Sequence, residues 1–418
     1  MKETDLLNIC GVNESFDVPV KLLELLLSPN SDQLLEQISN VYGDLQIDEF
    51  NIYYQTYLSE RGKLKQDYTP NEVGKLLGML IGEADTLIDV CAGSGTLTIN
   101  YWNEHPNVKV CCEEFSSRVI PFLLANLALR NIDGIVYHGD TLTRKYEHIY
   151  RLCKGDKYST IQIVEESKPI EGAVIMNPPY SLGWNPMNDE RFNAYELAPK
   201  SKADYAFLLH GLSLLCEKDK MAIILPHGVL FRGQSEGKIR EALIKDNLID
   251  TIIGIPSNMF MNTSIPTCIL VLNKKKKSND ILFIDASDKC FKDGKFNRFS
   301  SDDLQQIYDA YSQRKQISKF SYVATLQDLE TNQYNCNIPR YVDKYEKAEP
   351  IDIVSVTKDL FNLLEQVEET MVAVANQLDD LKASTPFVDE QLKYVQKEFG
   401  KYRAKKKKET KGNQISLW

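Results

Sequence analysis

An α/β fold is predicted, with a parallel, doubly wound sheet between an N-terminal helical stretch and a C-terminal helical hairpin. Three observations predict it. Short apolar runs alternate with helical stretches from about residue 63, helical spacing alone fills residues 1–62, and a heptad seam starts near residue 350. Strands separated by helices pair in parallel and are covered on both faces. The expected organisation is a helical region at 1–62, a sheet domain at 63–348, a helical hairpin at 349–403 and a basic, disordered tail at 404–418.

In the first region, Leu6, Leu7 and Ile9, then Leu22, Leu23, Leu25, Leu26 and Leu27, then Leu34, Leu35 and Ile38 are punctuated by Gly11 and Pro29-Asn30. No chemical motif stands out there. In the second region, strands are expected at Leu87–Val90, Val108–Cys112, Gly134–Tyr137, Ala173–Met176, Met221–Leu225, Leu248–Ile255 and Thr267–Leu272, with a helix at Val119–Leu129. In the third, Leu360, Leu364, Val367, Met371, Val374, Leu378 and Leu381 alternate spacings of four and three. That is an a/d seam. Thr385-Pro386 breaks it, and it resumes at Val388, Leu392, Val395 and Phe399. The stripe either packs back on the sheet domain or docks on a partner's helices.

Apolar residues make up 43% and charged residues 26% of the 418, an ordinary globular balance. There is no run of eighteen apolar residues, so no membrane span is expected. The opening Met1-Lys2-Glu3-Thr4-Asp5 lacks a signal-type apolar core. Nine cysteines with no CxxC spacing argue against a disulfide framework or a zinc cluster. A cytoplasmic location without a metal is the expectation. The formal charge of −10 does not suit a chain that grips DNA unaided, although Lys274 to Lys277 and Lys401 to Lys411 are locally basic. Either cluster is equally readable as solvated surface.

Ligands of doubly wound sheets sit beyond the carboxyl ends of the strands, so the residues there carry the chemistry. Asp89-Val90-Cys91-Ala92-Gly93-Ser94-Gly95-Thr96 follows the first strand. Glycines let backbone approach a ligand that a Cβ would block, and no Walker lysine follows. Glu114 ends the second strand, where a carboxylate accepts from ribose hydroxyls. Asp140 follows the third and suits an adenine amino group. The alternatives are a helix cap at Asp140 and a solvated pair at Glu113-Glu114. Thr69 with Pro70 also reads as a helix cap.

Asn177-Pro178-Pro179-Tyr180 follows the fourth strand. Asn-Pro-Pro-aromatic arises by chance in such a chain about once in a few hundred. A conjugated exocyclic amine is a poor nucleophile. Two acceptors, the Asn177 side-chain oxygen and the Pro178 carbonyl, draw on its N–H groups and favour a pyramidal nitrogen. The Pro-Pro backbone keeps them in place, and Tyr180 offers a face for a base drawn from its stack. No strong base or metal is needed, because positioning and fixed dipoles carry the rate.

These motifs, in this order, resemble the modification subunits of type I restriction–modification systems, γ-type amino methyltransferases. The resemblance covers roughly residues 60–345. Besides the motifs above it rests on Gln66-Asp67-Tyr68-Thr69-Pro70, Gly139-Asp140-Thr141-Leu142, Asp204-Tyr205-Ala206-Phe207, Ile224 to Phe231, Ser264-Ile265-Pro266-Thr267, Phe283 to Ser287 and Asn337-Ile338-Pro339-Arg340-Tyr341. It implies a Rossmann-like, S-adenosylmethionine-dependent methyltransferase fold acting on the N6 amino group of adenine in duplex DNA. It implies cofactor contacts at Gln66, Asp67, Tyr68, Thr69, Pro70 and Asn71, at Asp89 and Gly93, at Ser94, Gly95 and Thr96, and at Glu114 and Asp140. It further implies a DNA specificity subunit gripped by residues 350–400, with a second modification subunit and a restriction subunit in the complex.

Four features depart from the family. Only about sixty residues precede the catalytic region, which puts a DNA clamp there in doubt. Tyr68 stands where phenylalanine is commoner, Thr96 where a second glycine is common, and Asp67 replaces a usual aromatic. Two other functions remain open: a methyltransferase fold kept as a DNA-binding scaffold, and methylation of RNA or of a protein amide.

Overall fold

The computed structural model describes residues 1–58, 69–165, 170–260, 263–345 and 351–409. Two compact units emerge, Met1–Lys344 and Tyr345–Trp418.

The strands are β1 (Thr86–Val90), β2 (Lys109–Glu114), β3 (Gly134–Asp140), β4 (Lys145–Cys153), β5 (Thr160–Val164), β6 (Ala173–Met176), β7 (Lys220–Pro226), β8 (Ile249–Ile255), β9 (Thr267–Asn273), β10 (Ile281–Asp285), β11 (Phe291–Asp293), β12 (Phe296–Arg298) and β13 (Ser321–Ala324). The α-helices are α1 (Glu3–Cys10), α2 (Val18–Leu26), α3 (Ser31–Val41), α4 (Glu49–Tyr57), α5 (Asn71–Ile81), α6 (Thr96–Glu104), α7 (Ile120–Leu129), α8 (Asp204–Leu214), α9 (Gln234–Lys245), α10 (Ser301–Ser312), α11 (Leu326–Thr331), α12 (Ile353–Asp379) and α13 (Pro386–Glu409).

One sheet runs β13-β10-β8-β9-β7-β6-β1-β2-β3-β4-β5, and β11 pairs with β12 as a separate hairpin. The centre is parallel, with β1 between β2 and β6. The expectation of an all-parallel sheet is corrected towards the edges. There β9 runs antiparallel between β7 and β8, and β4, β5 and β13 are antiparallel to their neighbours. The cause is connection length. Residues 141–144 alone join β3 to β4, and residues 256–266 alone join β8 to β9. Among the described residues neither stretch holds a crossover helix, and the chain turns back.

Helix α7 shows why the first region is no separate domain. Its ten residues, Ile120 to Leu129, are all buried. A helix apolar all round needs cover on both sides. The sheet covers one side of α7, and α2 and α3 pack on it as well. Phe122 meets the rings of Phe50, Tyr53 and Tyr54 at centroid distances of 5.4, 6.0 and 5.9 Å. The N-terminal helices therefore share a core with the sheet and belong to the same unit.

In the second unit, Pro386 opens α13, where its missing N–H costs nothing. Helix α13 runs to Glu409, past the expected start of the tail at 404. Gln396 Nε2 donates to the Leu378 carbonyl (2.7 Å) and Arg403 Nη2 to that of Ala375 (3.0 Å), which pins α13 against the second half of α12. The first half of α12 has no such cover within the unit. Val354, Leu360, Leu364 and Val367 are 63, 54, 51 and 50% exposed.

Candidate active site

The loops after β1, β2, β3 and β6 meet at a cavity of about 480 Å³. Cys91, Gly93, Glu114, Asp140, Asn177 and Pro178 all line it. The structure thus brings the expected strand ends together. Gln66, Asp67 and Tyr68 lie outside the described residues.

The loop after β1 turns through Cys91, Gly93 and Gly95 at φ of 61°, 58° and 96°. A Cβ on Gly95 would stand 2.9 Å from Leu123 Cδ1, so conformation and space both require glycine there. The turn is latched to β2. The Gly93 N–H donates to Glu114 Oε2 (2.8 Å) and the Ser116 N–H to Oε1 (2.7 Å). Burial pushes the Glu114 carboxyl above the ordinary range. Glu113 is buried too, so the solvated-pair alternative is set aside.

Asp89 alternates with Ile88 and Val90 along β1 and points to the α6 side. Its Oδ2 accepts from the Thr98 amide (3.2 Å) and hydroxyl (2.7 Å). Its Oδ1 is buried without a partner. Burial raises this carboxyl to about 7.

Ser94 and Thr96 take a different part from the expected cofactor contact. Their hydroxyls donate to Asp48 Oδ2 at 2.6 and 2.7 Å. Asp48 Oδ1 accepts from the Asn51 amide (2.9 Å) and from Asn126 Nδ2 (2.8 Å). Asn126 Nδ2 also donates to the Ser94 carbonyl (2.7 Å). The glycine loop therefore rests on a buried carboxylate from the N-terminal region. Sequence reading missed it because neither Asp48 nor Asn126 stands in a motif.

Asp140 divides its oxygens. Oδ1 accepts from the Leu142 and Thr143 amides at 2.9 and 3.3 Å in the turn between β3 and β4, and no helix follows, so the helix-cap alternative is not realised. Thr69 does not cap α5. Pro70 occupies that position, and α5 starts at Asn71. The Thr69 hydroxyl instead accepts from Asn177 Nδ2 at 2.9 Å, across 108 residues of sequence.

Asn177 Oδ1 accepts from the Tyr180 hydroxyl at 2.7 Å. The expectation of an open Tyr180 face is corrected for this conformation. The ring is 6% exposed and meets Phe260 edge-on, with centroids 6.1 Å apart. The loop's exit is held as well. Ser181, at φ 50°, donates its N–H to Asp204 Oδ1 (2.8 Å), and Arg232 Nη1 donates to Asp204 Oδ2 (3.0 Å). Phe260 and Arg232 gave no sequence signal beyond their neighbours.

A second unforeseen network backs the β3 end. Arg191 Nη1 and Nη2 donate to the carbonyls of Thr141 (3.0 Å) and Leu142 (2.6 Å), and Asp189 pairs with the same guanidinium (2.7 Å). Arg191 Nη1 also donates to His210 Nδ1 (2.8 Å). Arginine has only donors, so Nδ1 accepts and the His210 Nε2–H donates to Glu113 Oε2 (2.9 Å). The ring is therefore neutral, and this contact is a hydrogen bond. The network ties the segment after the catalytic loop to the wall of the cavity.

The profile of the N-6 DNA Methylase family matches residues 44–350. The type I restriction enzyme MpnII methylase subunit of Mycoplasma pneumoniae is 30% identical over 394 residues, 88% of this chain and 70% of its own. The MjaVIII methylase subunit of Methanocaldococcus jannaschii is 28% identical over 343 residues, 77% of this chain and 57% of its own. Among solved structures, the type I restriction-modification system methyltransferase subunit from Streptococcus thermophilus superposes with a TM-score of 0.61 at 34% identity, over 78% of this chain and 67% of that one. The chain thus belongs to the N-6 DNA methylase family, among the methylase subunits of type I restriction–modification systems.

Proposed function

We propose that this chain methylates an adenine turned out of duplex DNA into the loop Asn177 to Tyr180, as the modification subunit of a complex. The observation that carries it is the Thr69–Asn177 hydrogen bond. It joins the segment ahead of α5 to the catalytic loop, so donor-binding and acceptor-binding residues border one cavity.

S-adenosylmethionine supplies the methyl group as a sulfonium. The residues present fit it: the turn at Gly93 brings backbone without a Cβ to the cavity, and Glu114 and Asp140 stand as carboxylates at its wall. The Asn177 amide turns its Nδ2 to the Thr69 hydroxyl and its Oδ1 to Tyr180. An incoming N6 amine takes the place of the Tyr180 hydroxyl on Asn177 Oδ1 and gives its second N–H to the Pro178 carbonyl. Tyr180 and Phe260 then wall the base. Flipping is required, because the amine is out of reach within the duplex.

The C-terminal helices dock the specificity subunit. The support is the exposed apolar half of α12, larger than solvated helices tolerate. The net acidic charge agrees with a partner that brings much of the DNA affinity. The experiment is co-purification of the full chain with the specificity subunit, followed by methyl transfer from labelled S-adenosylmethionine to duplex DNA. Incorporation at adenine N6 is the expected result. DNA binding by the complex without incorporation overturns the reading in favour of a scaffold.

A further inference from the structure

The hairpin of β11 and β12 serves no part of the site described so far. Ten residues from Lys289 to Arg298 hold Lys289, Lys292, Lys295 and Arg298 against one carboxylate, Asp293, in a chain of net charge −10. Its turn is Gly294-Lys295, with Gly294 at φ 59°, a tight two-residue connection between the paired Asp293 and Phe296. At this turn Lys292 and Lys295 are exposed, and no carboxylate pairs with either among the described residues. Phe291 beside them is 51% exposed.

The base of the hairpin is bolted to the rim of the target-base site. The Asn297 amide donates to the Asn258 carbonyl (3.0 Å), and Asn297 Nδ2 donates to that of Ser257 (2.6 Å). Two residues on, Phe260 meets Tyr180. On its other side, Arg298 Nη1 lies 3.4 Å from Glu72 Oε1, in the first turn of α5 and three residues after Thr69. Both anchors therefore flank the Asn177 loop. Two exposed ammonium groups, that of Lys295 5.2 Å from the centroid of the Phe296 ring, and the exposed ring of Phe291 stand beside the place where a duplex must lie for its adenine to reach Asn177.

We infer that the hairpin Phe291–Arg298 is a sequence-independent duplex contact, with Lys292 and Lys295 taking phosphates on the strand that flanks the extruded adenine. Lysine is a point-charge donor suited to phosphate, and such contacts add affinity without reading sequence. Its role is to keep the duplex seated while the base is out of the stack. The inference rests on the proposed function, since it needs DNA at this mouth.

The test uses the full-length chain and a fluorescent 30-base-pair duplex, titrated from about 50 mM salt upwards, where non-specific binding is on the order of micromolar. S-adenosylmethionine affinity is measured alongside. In Lys292→Ala/Lys295→Ala, duplex binding is expected to weaken about tenfold and the salt slope to fall by about 2, one phosphate per lysine. Lys292→Arg/Lys295→Arg should bind like wild type. S-adenosylmethionine affinity should hold in both variants, which shows the site is intact. Lys109→Ala/Lys218→Ala removes equal charge at the amino ends of the strands and should change little. Equal losses in the hairpin and control variants, or none in the hairpin variant, overturn the inference and leave the proposed function standing. Wild type that takes up S-adenosylmethionine but binds no duplex overturns the inference and leaves standing the proposed function, in which a partner brings much of the DNA affinity.

Discussion

The two units of the molecule treat apolar side chains in opposite ways. In Met1–Lys344 most of them are buried in two clusters, to the point that α7 is buried along its whole length. In α12 a comparable set, Val354 to Val367, faces outward. The same residue type therefore answers to different thermodynamics. The catalytic unit buries most of its apolar area within itself. The helical unit leaves apolar area exposed on α12, and that agrees with the proposed docking role.

The largest expected effect breaks this contrast from the catalytic side. Phe122→Ala removes a ring that three aromatics touch at zero exposure. It should cost about 3–5 kcal/mol, read by denaturant unfolding. Leu364→Ala on α12 should fall within about 0.5 kcal/mol in the same assay. A second substitution sharpens the link between the N-terminal helices and the site. Asp48→Ala leaves the Ser94, Thr96 and Asn126 donors without their acceptor. Each buried unpaired group costs about 1–3 kcal/mol. The variant should lose stability and should also bind S-adenosylmethionine more weakly in calorimetry. Unchanged cofactor affinity would mean that the glycine loop does not depend on this carboxylate.

Asp89 gives a pH dependence. Its folded carboxyl titrates at about 7, above the ordinary 3.8. A raised folded value means stability that is fully present below about pH 4 and is lost as the pH rises through about 7. Asp89→Asn should flatten that decline in a Tm series from pH 4 to 8. A parallel decline in variant and wild type would place the titration elsewhere. The smallest effect on folding belongs to the helical unit. Leu360→Asp with Leu364→Asp should leave the Tm of the catalytic unit unchanged while abolishing co-purification with the specificity subunit. Retained association would count against docking through α12.

The sheet's centre was legible because fully buried parallel strands read as continuous apolar runs, as at Ala173–Met176. Strand β4 was not, because its residues Lys145 to Cys153 are half exposed and mix charge with aromatics. The site was legible where chemistry dictates a motif: the Asn177 loop, the glycine turn, and the acids at Glu114 and Asp140. It was hidden where chemistry runs through tertiary contact. Asp48 reaches Ser94 across 46 residues with nothing local to mark it, and Thr69 and Asn177, each in a motif, are joined across 108 residues by a bond that neither motif announces. Tyr180 was right in place and wrong in posture, since its hydroxyl occupies the very oxygen that an amine needs.

That oxygen gives the most direct test. In the complex with its specificity subunit, wild type and Asn177→Ala are compared for methyl incorporation into duplex DNA from labelled S-adenosylmethionine, with cofactor affinity measured in parallel. The expected result is a loss of incorporation of about 100-fold or more, the scale seen when one fixed polar partner of a transition state is removed, with cofactor affinity within a few-fold of wild type. Equal incorporation by both proteins would contradict the account.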